Sequence, residues 1–184
     1  MTNTTIRCSG VELRPFLDSD ADDFAAAVRE SVPSVSPWMG WCVDDYTAAD
    51  ALDWFAVCRA GAAAGTAFEF GMFDEQSGRF LGGAGLNDIR QVHRFCNLGY
   101  WVRQSVQGQG IASRCVPALA AHAFDQLALH RVEIVVAVGN AASEAVAIKS
   151  GALHERVARN RLYINDRPAD AHVYSLVPRG DAKN

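Results

Sequence analysis

The stretch Val102-Arg-Gln-Ser-Val-Gln107-Gly-Gln-Gly110-Ile-Ala-Ser113 decides how the rest of the chain is read. It leaves an apolar, aromatic run, Phe95–Val102, and enters a segment whose apolar residues Ile111, Cys115, Leu119, Ala123 and Leu127 recur at helical spacing. The first run reads as a strand and the second as a helix reaching about Leu127. Glycines at the junction let the backbone approach a ligand and adopt conformations that other residues resist. Successive N–H groups at a helix start, with the helix dipole behind them, make an anion site. The junction therefore predicts a phosphate-binding turn. Pro117 predicts a kink in the helix near the preceding turn.

Upstream, Val11–Phe16 alternates as a strand, and Asp18-Ser-Asp20 caps a helix reaching about Glu30. Pro33 and Pro37 break Ser31–Trp41 into loop. Thr47 and Asp50 open a second helix with Ala51, Trp54, Phe55 and Cys58 on one face, followed by a small-residue linker, Gly61–Gly65. Thr66–Phe73 and Arg79–Leu86 read as a hairpin joined through Asp74–Gly78. Downstream, Val132–Val138 has the look of a buried central strand. Asn140 caps a short helix to Ser150, with Gly151 as its stop. Strands Ala152–Ile164 and Ala171–Val177 flank the turn Asn165–Pro168. The pattern predicts an α/β fold in which early hairpins supply antiparallel pairs and a late strand–helix–strand unit supplies a parallel one.

Neither common nucleotide loop fits the junction. A dinucleotide fingerprint needs a third glycine where Ser113 stands, and an acid at a strand end where Glu133 falls near a strand start. A Walker loop needs Gly-Lys-Ser/Thr, which does not follow. Composition narrows the field further. The 184 residues suit one domain, residues 1–184, with 49% hydrophobic and 21% charged residues. A formal net charge of −4 gives no global attraction to nucleic acid or an anionic membrane. No apolar run approaches a membrane span, and Met1–Arg7 lacks the apolar core of a secretory signal, so a cytoplasmic location is expected. The five cysteines and five histidines show no ligand spacing; reduced thiols and no metal are expected.

Gln107-Gly-Gln-Gly110-Ile-Ala112 resembles the Gln/Arg-x-x-Gly-x-Gly/Ala signature of the GNAT superfamily of acyl-CoA-dependent N-acyltransferases. Leu98-Gly-Tyr-Trp-Val102 precedes it, and Gly139-Asn140-x-x-Ser143 and Ala147-Ile-Lys-Ser-Gly151 follow. Together with Pro37-Trp-Met-Gly-Trp41 and the closing run from Arg159 through Asn165 and Asp170 to Tyr174-Ser-Leu176, they resemble the ribosomal-protein-alanine N-acetyltransferases. The likeness extends from Leu13-Arg14 to Leu176. It implies a GNAT-like, mixed, mostly antiparallel sheet of about seven strands, splayed at strands four and five, with about four helices.

The resemblance also implies a reaction: an acetyl group passes from acetyl-CoA, the co-substrate, directly to a primary amine. The acceptor implied is a protein N-terminal α-amine of ribosomal type. Aminoglycosides, polyamines and aminoacyl nucleotides remain open, as does a non-catalytic acyl-CoA-binding module or a homodimer. By the same resemblance, backbone N–H groups of Gln107, Gly108, Gln109, Gly110, Ile111 and Ala112 hold the coenzyme pyrophosphate. The strand bearing Trp101 and Val102 pairs with the pantetheine arm, which Asn140 also bonds. A backbone N–H near Tyr100 or Trp101 faces the oxyanion, and Ser143 serves as acid to the departing thiolate.

Asn97 stands where many relatives carry a glutamate base, and an amide cannot take a proton. Glu69, Asp88 and Asp170 are alternative carboxylates, though each reads more readily as a solvated strand-end or turn acid; His93 reads as a loop residue. Trp38, Trp41 and Tyr46 bracket Asp44 and Asp45, a grouping that suits a cationic amine. Trp38, Trp41, Asp44 and Asn97 are thus the acceptor-side candidates. The arginines Arg156, Arg159, Arg161 and Arg167 read as one solvated strand face, or as attraction for an acidic acceptor protein or the coenzyme's phosphates.

Overall fold

A computed structural model describes residues 4–178. Twelve main elements follow one another: β1 (Ile6–Cys8), β2 (Val11–Arg14), α1 (Ala21–Val35), α2 (Ala48–Ala64), β3 (Phe68–Asp74), β4 (Phe80–Arg90), β5 (Phe95–Val102), α3 (Ile111–Asp125), β6 (Arg131–Ala137), α4 (Ala141–Lys149), β7 (Leu153–Ile164) and β8 (Arg167–Leu176). Short 3₁₀ turns lie at Asp18–Asp20 and Gln104–Val106. The strands form one sheet in the order β1-β2-β3-β4-β5-β6-β8-β7. Every pairing is antiparallel except β5 with β6, which the α3 crossover makes parallel.

That parallel pair is short. Only Phe95–Asn97 align with Arg131–Glu133, and beyond them Leu98–Val102 and Ile134–Ala137 separate while keeping their outer partners β4 and β8. The expected splay is present. It falls at β5 and β6 because the sheet has eight strands, one more than expected. The extra strand, β1, is three residues long and carries too little alternation to stand out in the sequence.

Apolar residues cover both faces. On one, α3 lays Cys115, Val116 and Leu119 over Leu13, Met72, Leu86, Leu98 and Ile134. On the other, α1 and α2 enclose Phe16, Phe24, Phe55 and Phe80, with Phe16 stacked on Phe55 at 4.6 Å and Phe24 edge-on to Phe55 at 5.3 Å.

Two helices outrun their sequence boundaries. Helix α1 continues to Val35 through Pro33, where the expected loop begins only after Ser36. Proline in the final turn removes one backbone donor, and the buried Ser31 hydroxyl supports that turn by donating to Ala27 O at 2.7 Å. Helix α2 absorbs Gly61–Ala64, because the surrounding alanines favour helix; it stops at Gly65, whose φ of 67° makes the left-handed C-terminal cap. The Thr47–Asp50 capping box forms as expected, while Trp54 stays exposed beside the buried Ala51, Phe55 and Cys58. Helix α3 runs as one element through Pro117. No helix among the described residues is long and apolar enough to cross a membrane.

Candidate active site

The glycine loop is held from both sides. Arg103, at the end of β5, reaches α1 with Nε on Glu30 Oε2 at 2.6 Å and Nη1 on Asp23 Oδ1 at 2.7 Å. The backbone N–H groups of Gln104 and Ser105 donate to Ser31 Oγ and Glu30 Oε1. Burial opposes ionisation of Glu30, but its hydrogen bonds from Ser105 and Arg103 overcome it and hold the carboxyl down at about 2. Gln107 adds a third tie: its Nε2 donates to Val102 O at 2.9 Å and Ser34 Oγ at 3.0 Å.

With its base fixed, the loop turns through Gly108 and Gly110, at φ of 75° and 72°. Gly110 is the N-cap of α3 and supplies no side chain to it. The first N–H groups of α3 therefore have no intrahelical partner and no capping side chain, which is the arrangement an anion fills. Arg114 reinforces the turn by donating to Gln109 O at 2.9 Å.

Below the loop lies a cleft of about 360 Å³ between the end of β5, the end of α1 and the starts of α3 and α4. Tyr100, Trp101, Val102, Gln107, Gly108, Gly110, Ile111, Ala112, Asn140 and Ser143 line it, so the structure gathers nearly all the expected coenzyme residues. Gln109 is exposed and not among them. Ser34, Trp38, Met39 and Lys149 complete the wall.

The cleft meets a second one, of about 650 Å³, which opens between Trp41, Asn97, Gly99 and the β7–β8 turn at Asn165-Asp166. Trp38, Met39, Tyr100, Asn140 and Ser143 line both. At this junction the Tyr100 hydroxyl donates to Ser143 O at 3.0 Å and lies 3.0 Å from Ser143 Oγ. Burial pushes the Tyr100 hydroxyl up to about 12, against the Ser143 hydrogen bond, so Tyr100 keeps its proton. Ser143 also closes the α4 cap, its N–H donating to Asn140 Oδ1 at 3.1 Å. Asn140 and Ser143 thus cap the helix and line the cleft at once.

The acceptor-side candidates divide. Trp38, Trp41 and Asn97 line the second cleft, and Trp41 packs edge-on against Trp101 at 5.5 Å. Asp44 is exposed in the turn after Cys42 and lines neither cleft. Asp88 is exposed and paired with Arg90, and Asp170 accepts from Asn160 N. Glu69 is partly buried and accepts from Asn87, which accepts in turn from Asn97. Sequence reading passed over three features: the Arg103 clamp, the Tyr100 hydroxyl beside Ser143, and Asn87. A lone arginine after a strand and an asparagine in a strand carry no spacing signal, whereas Tyr100 was already placed in the site through its backbone.

The sheet thus opens between two parallel strands, with an uncapped helix start suited to an anion near the opening. Residues 11–153 match the family model described as an acetyltransferase (GNAT) domain, and the chain belongs to that family. It is 39% identical over 102 residues, 55% of this chain and 56% of the relative, to a Bacillus subtilis (strain 168) protein provisionally named ribosomal N-acetyltransferase YdaF. It is 31% identical over 113 residues, 61% of this chain and 62% of the relative, to the ribosomal-protein-serine acetyltransferase of Escherichia coli (strain K12). The aligned stretch thus spans under two thirds of the length of either relative. Among solved structures, one provisionally named as a ribosomal-protein-serine acetyltransferase from Vibrio cholerae superposes with a TM-score of 0.83 at 28% identity, covering 97% of this chain and all of the other.

Proposed function

We propose that the protein transfers an acetyl group from acetyl-CoA to the N-terminal α-amine of a protein, of the ribosomal type, in the cytoplasm. The observation that carries this reading is the junction of the two clefts at Tyr100 and Ser143. One cleft ends at an anion site and the other opens to the surface, so two substrates can meet there from opposite sides. The names of the Bacillus and Escherichia relatives support the choice of acceptor.

The residues present fit the coenzyme: an uncapped helix start behind glycines suits a pyrophosphate, and the unpaired edge of β5 suits an amide-bearing arm. When bound, acetyl-CoA supplies the activated thioester. The first-turn N–H groups of α3 hold its phosphates, and the freed backbone of β5 orients the thioester carbonyl and donates an N–H to the oxyanion. The Tyr100–Ser143 hydroxyl pair delivers a proton to the departing sulfur. Asn97 and Trp41 receive the amine from the other cleft.

Release of coenzyme thiol from acetyl-CoA tests the reading, using synthetic peptides that begin with Ser, Ala or Met, together with spermidine and kanamycin. Turnover is expected with peptides. Tight coenzyme binding without thiol release on any amine would leave a binding module instead, and turnover confined to spermidine or kanamycin would move the acceptor to small amines.

A further inference from the structure

Asn97 replaces a carboxylate at the acceptor cleft, yet it is wired to one. Its Nδ2 donates to Asn87 Oδ1 at 2.9 Å, and Asn87 Nδ2 donates to Glu69 Oε1 at 3.1 Å. The direction of this chain is imposed at its far end. An ionised carboxylate only accepts hydrogen bonds, so Asn87 must turn its NH₂ toward Glu69. Asn87 then offers only its carbonyl oxygen to Asn97, and Asn97 commits its own NH₂ there. What remains for the cleft, which Asn97 and Asn87 both line, is the carbonyl oxygen of Asn97. A neutral amide at position 69 would leave both directions open.

The sheet makes room for the arrangement. Glu69, Gly85 and Gly99 pair in one row across β3, β4 and β5, so their side-chain positions share a face. A Cβ on Gly85 would overlap Glu69 Oε2, which shows that the carboxylate lies across β4 toward β5. Apart from Asn87, the group facing Glu69 is Cys58 of α2, whose thiol burial pushes up to about 12 and which is therefore neutral. Burial also raises the proton affinity of Glu69 itself, against the Asn87 hydrogen bond.

We propose that Glu69 is a positioning residue for acyl transfer: through Asn87 it fixes Asn97 with its carbonyl oxygen toward the cleft, where that oxygen accepts an N–H of the incoming amine. This rests on the amine acceptor of the proposed function. Neither amide takes up a proton; the ammonium loses one to solvent, and Asn97 then holds the neutral amine with its lone pair free to face the thioester. As the C–N bond forms and the C–S bond breaks, the nitrogen sheds its second proton to solvent and the sulfur receives one from the Tyr100–Ser143 pair.

The test is a double-substitution cycle on the full chain, with the best peptide acceptor from the panel above. Glu69→Gln removes the fixed direction and is expected to raise the amine KM about tenfold, the value of one hydrogen bond, with acetyl-CoA affinity unchanged. Asn97→Asp alone is expected to harm as well, because two carboxylates then compete for one Asn87 NH₂. Combined, the two should restore one another. The amide introduced at position 69 donates to Asn87, Asn87 donates to the carboxylate introduced at position 97, and an oxygen of that carboxylate faces the cleft. Independent effects of the two substitutions would overturn the proposal. Nitrogen-15 NMR of the Asn87 and Asn97 side-chain amides supplies a readout without turnover. If the wild type acetylates no amine, the proposed function fails. The wiring is still decided: both amides should shift in Glu69→Gln, and an unmoved Asn97 amide would overturn it.

Discussion

Replacing Gly110 by Asp separates the anion site from the fold that carries it. Gly110 sits at φ 72° and ψ 16°, and a Cβ there meets only Arg114 Nη1, at 3.6 Å. The substitution therefore fits sterically. Its structural cost is the left-handed backbone, about 1 kcal/mol for a residue with a Cβ, or roughly 2–4 °C in Tm for a chain of this length. Gly110→Ala carries the same cost without the charge. Asp adds a carboxylate at the anion site itself; two unit charges about 4 Å apart at an effective dielectric of about 20 repel by about 4 kcal/mol. The loop is exposed, and solvent and salt reduce that figure, so a loss of about 100-fold is expected. Calorimetric titration with coenzyme A, and with pantetheine as a ligand that lacks the pyrophosphate, reads the effect. Coenzyme affinity should fall in Gly110→Asp and stay close to wild type in Gly110→Ala, while pantetheine binding distinguishes neither. If Gly110→Asp binds coenzyme within about threefold of Gly110→Ala, the anion is not held at this helix start.

Three further outcomes follow from the same geometry. Tyr100→Phe and Ser143→Ala should each lower kcat by about 100-fold with coenzyme affinity retained, if their hydroxyl pair protonates the sulfur; equal losses of Tm and kcat in Ser143→Ala would reduce that residue to a helix cap. Glu30 is held at about 2 against an ordinary 4.5, so its contribution to stability is complete above pH 4.5 and is lost as pH falls toward 2. In urea unfolding, Glu30→Gln should be less stable than wild type at pH 6 and should lose less on acidification, and parallel pH curves would contradict the clamp. Gly85→Ala should fold, because the three atoms nearest its Cβ all belong to the end of the Glu69 side chain, and should raise the amine KM as Glu69→Gln does; an unchanged KM would place Glu69 outside acceptor binding.

What the sequence disclosed and what it hid divide along a physical line. The glycine loop and the Asn140 cap were legible because each depends on residues within a few positions of one another, whereas β4 runs on to Arg90 and β8 begins at Arg167, outside the expected Arg79–Leu86 and Ala171–Val177. Phe95–Val102 was bounded to the residue, since charged and turn residues flank it. The fate of Ser31–Val35 was not, because two prolines argue locally for loop while Ser31, anchored on Ala27 and holding the N–H of Gln104, argues for helix only once the glycine loop is in place. Glu69 was visible only as one acid among several. Its tie to Asn97 spans three strands and depends on Gly85 lacking a side chain, a relation that no local pattern carries.

Side chains alternate along β5, so Asn97 and Tyr100, three residues apart, face opposite sides of the sheet. Leu98 packs with the α3 core and Trp101 with the α1–α2 aromatic cluster, which assigns Tyr100 to the α3 side and Asn97 to the other. In an intact sheet these two groups could not reach one reacting carbon. They can here because β5 leaves β6 after Asn97, opening the plane at the level of Tyr100. In the proposed reaction the amine would be held on one side of the thioester and the Tyr100–Ser143 pair would meet the sulfur from the other, so that the leaving group departs away from the attacking nitrogen. Deleting one residue between Asn97 and Tyr100 would put both on the same face without removing either side chain. Coenzyme binding, which depends on the loop beyond Val102, should survive that deletion better than turnover does.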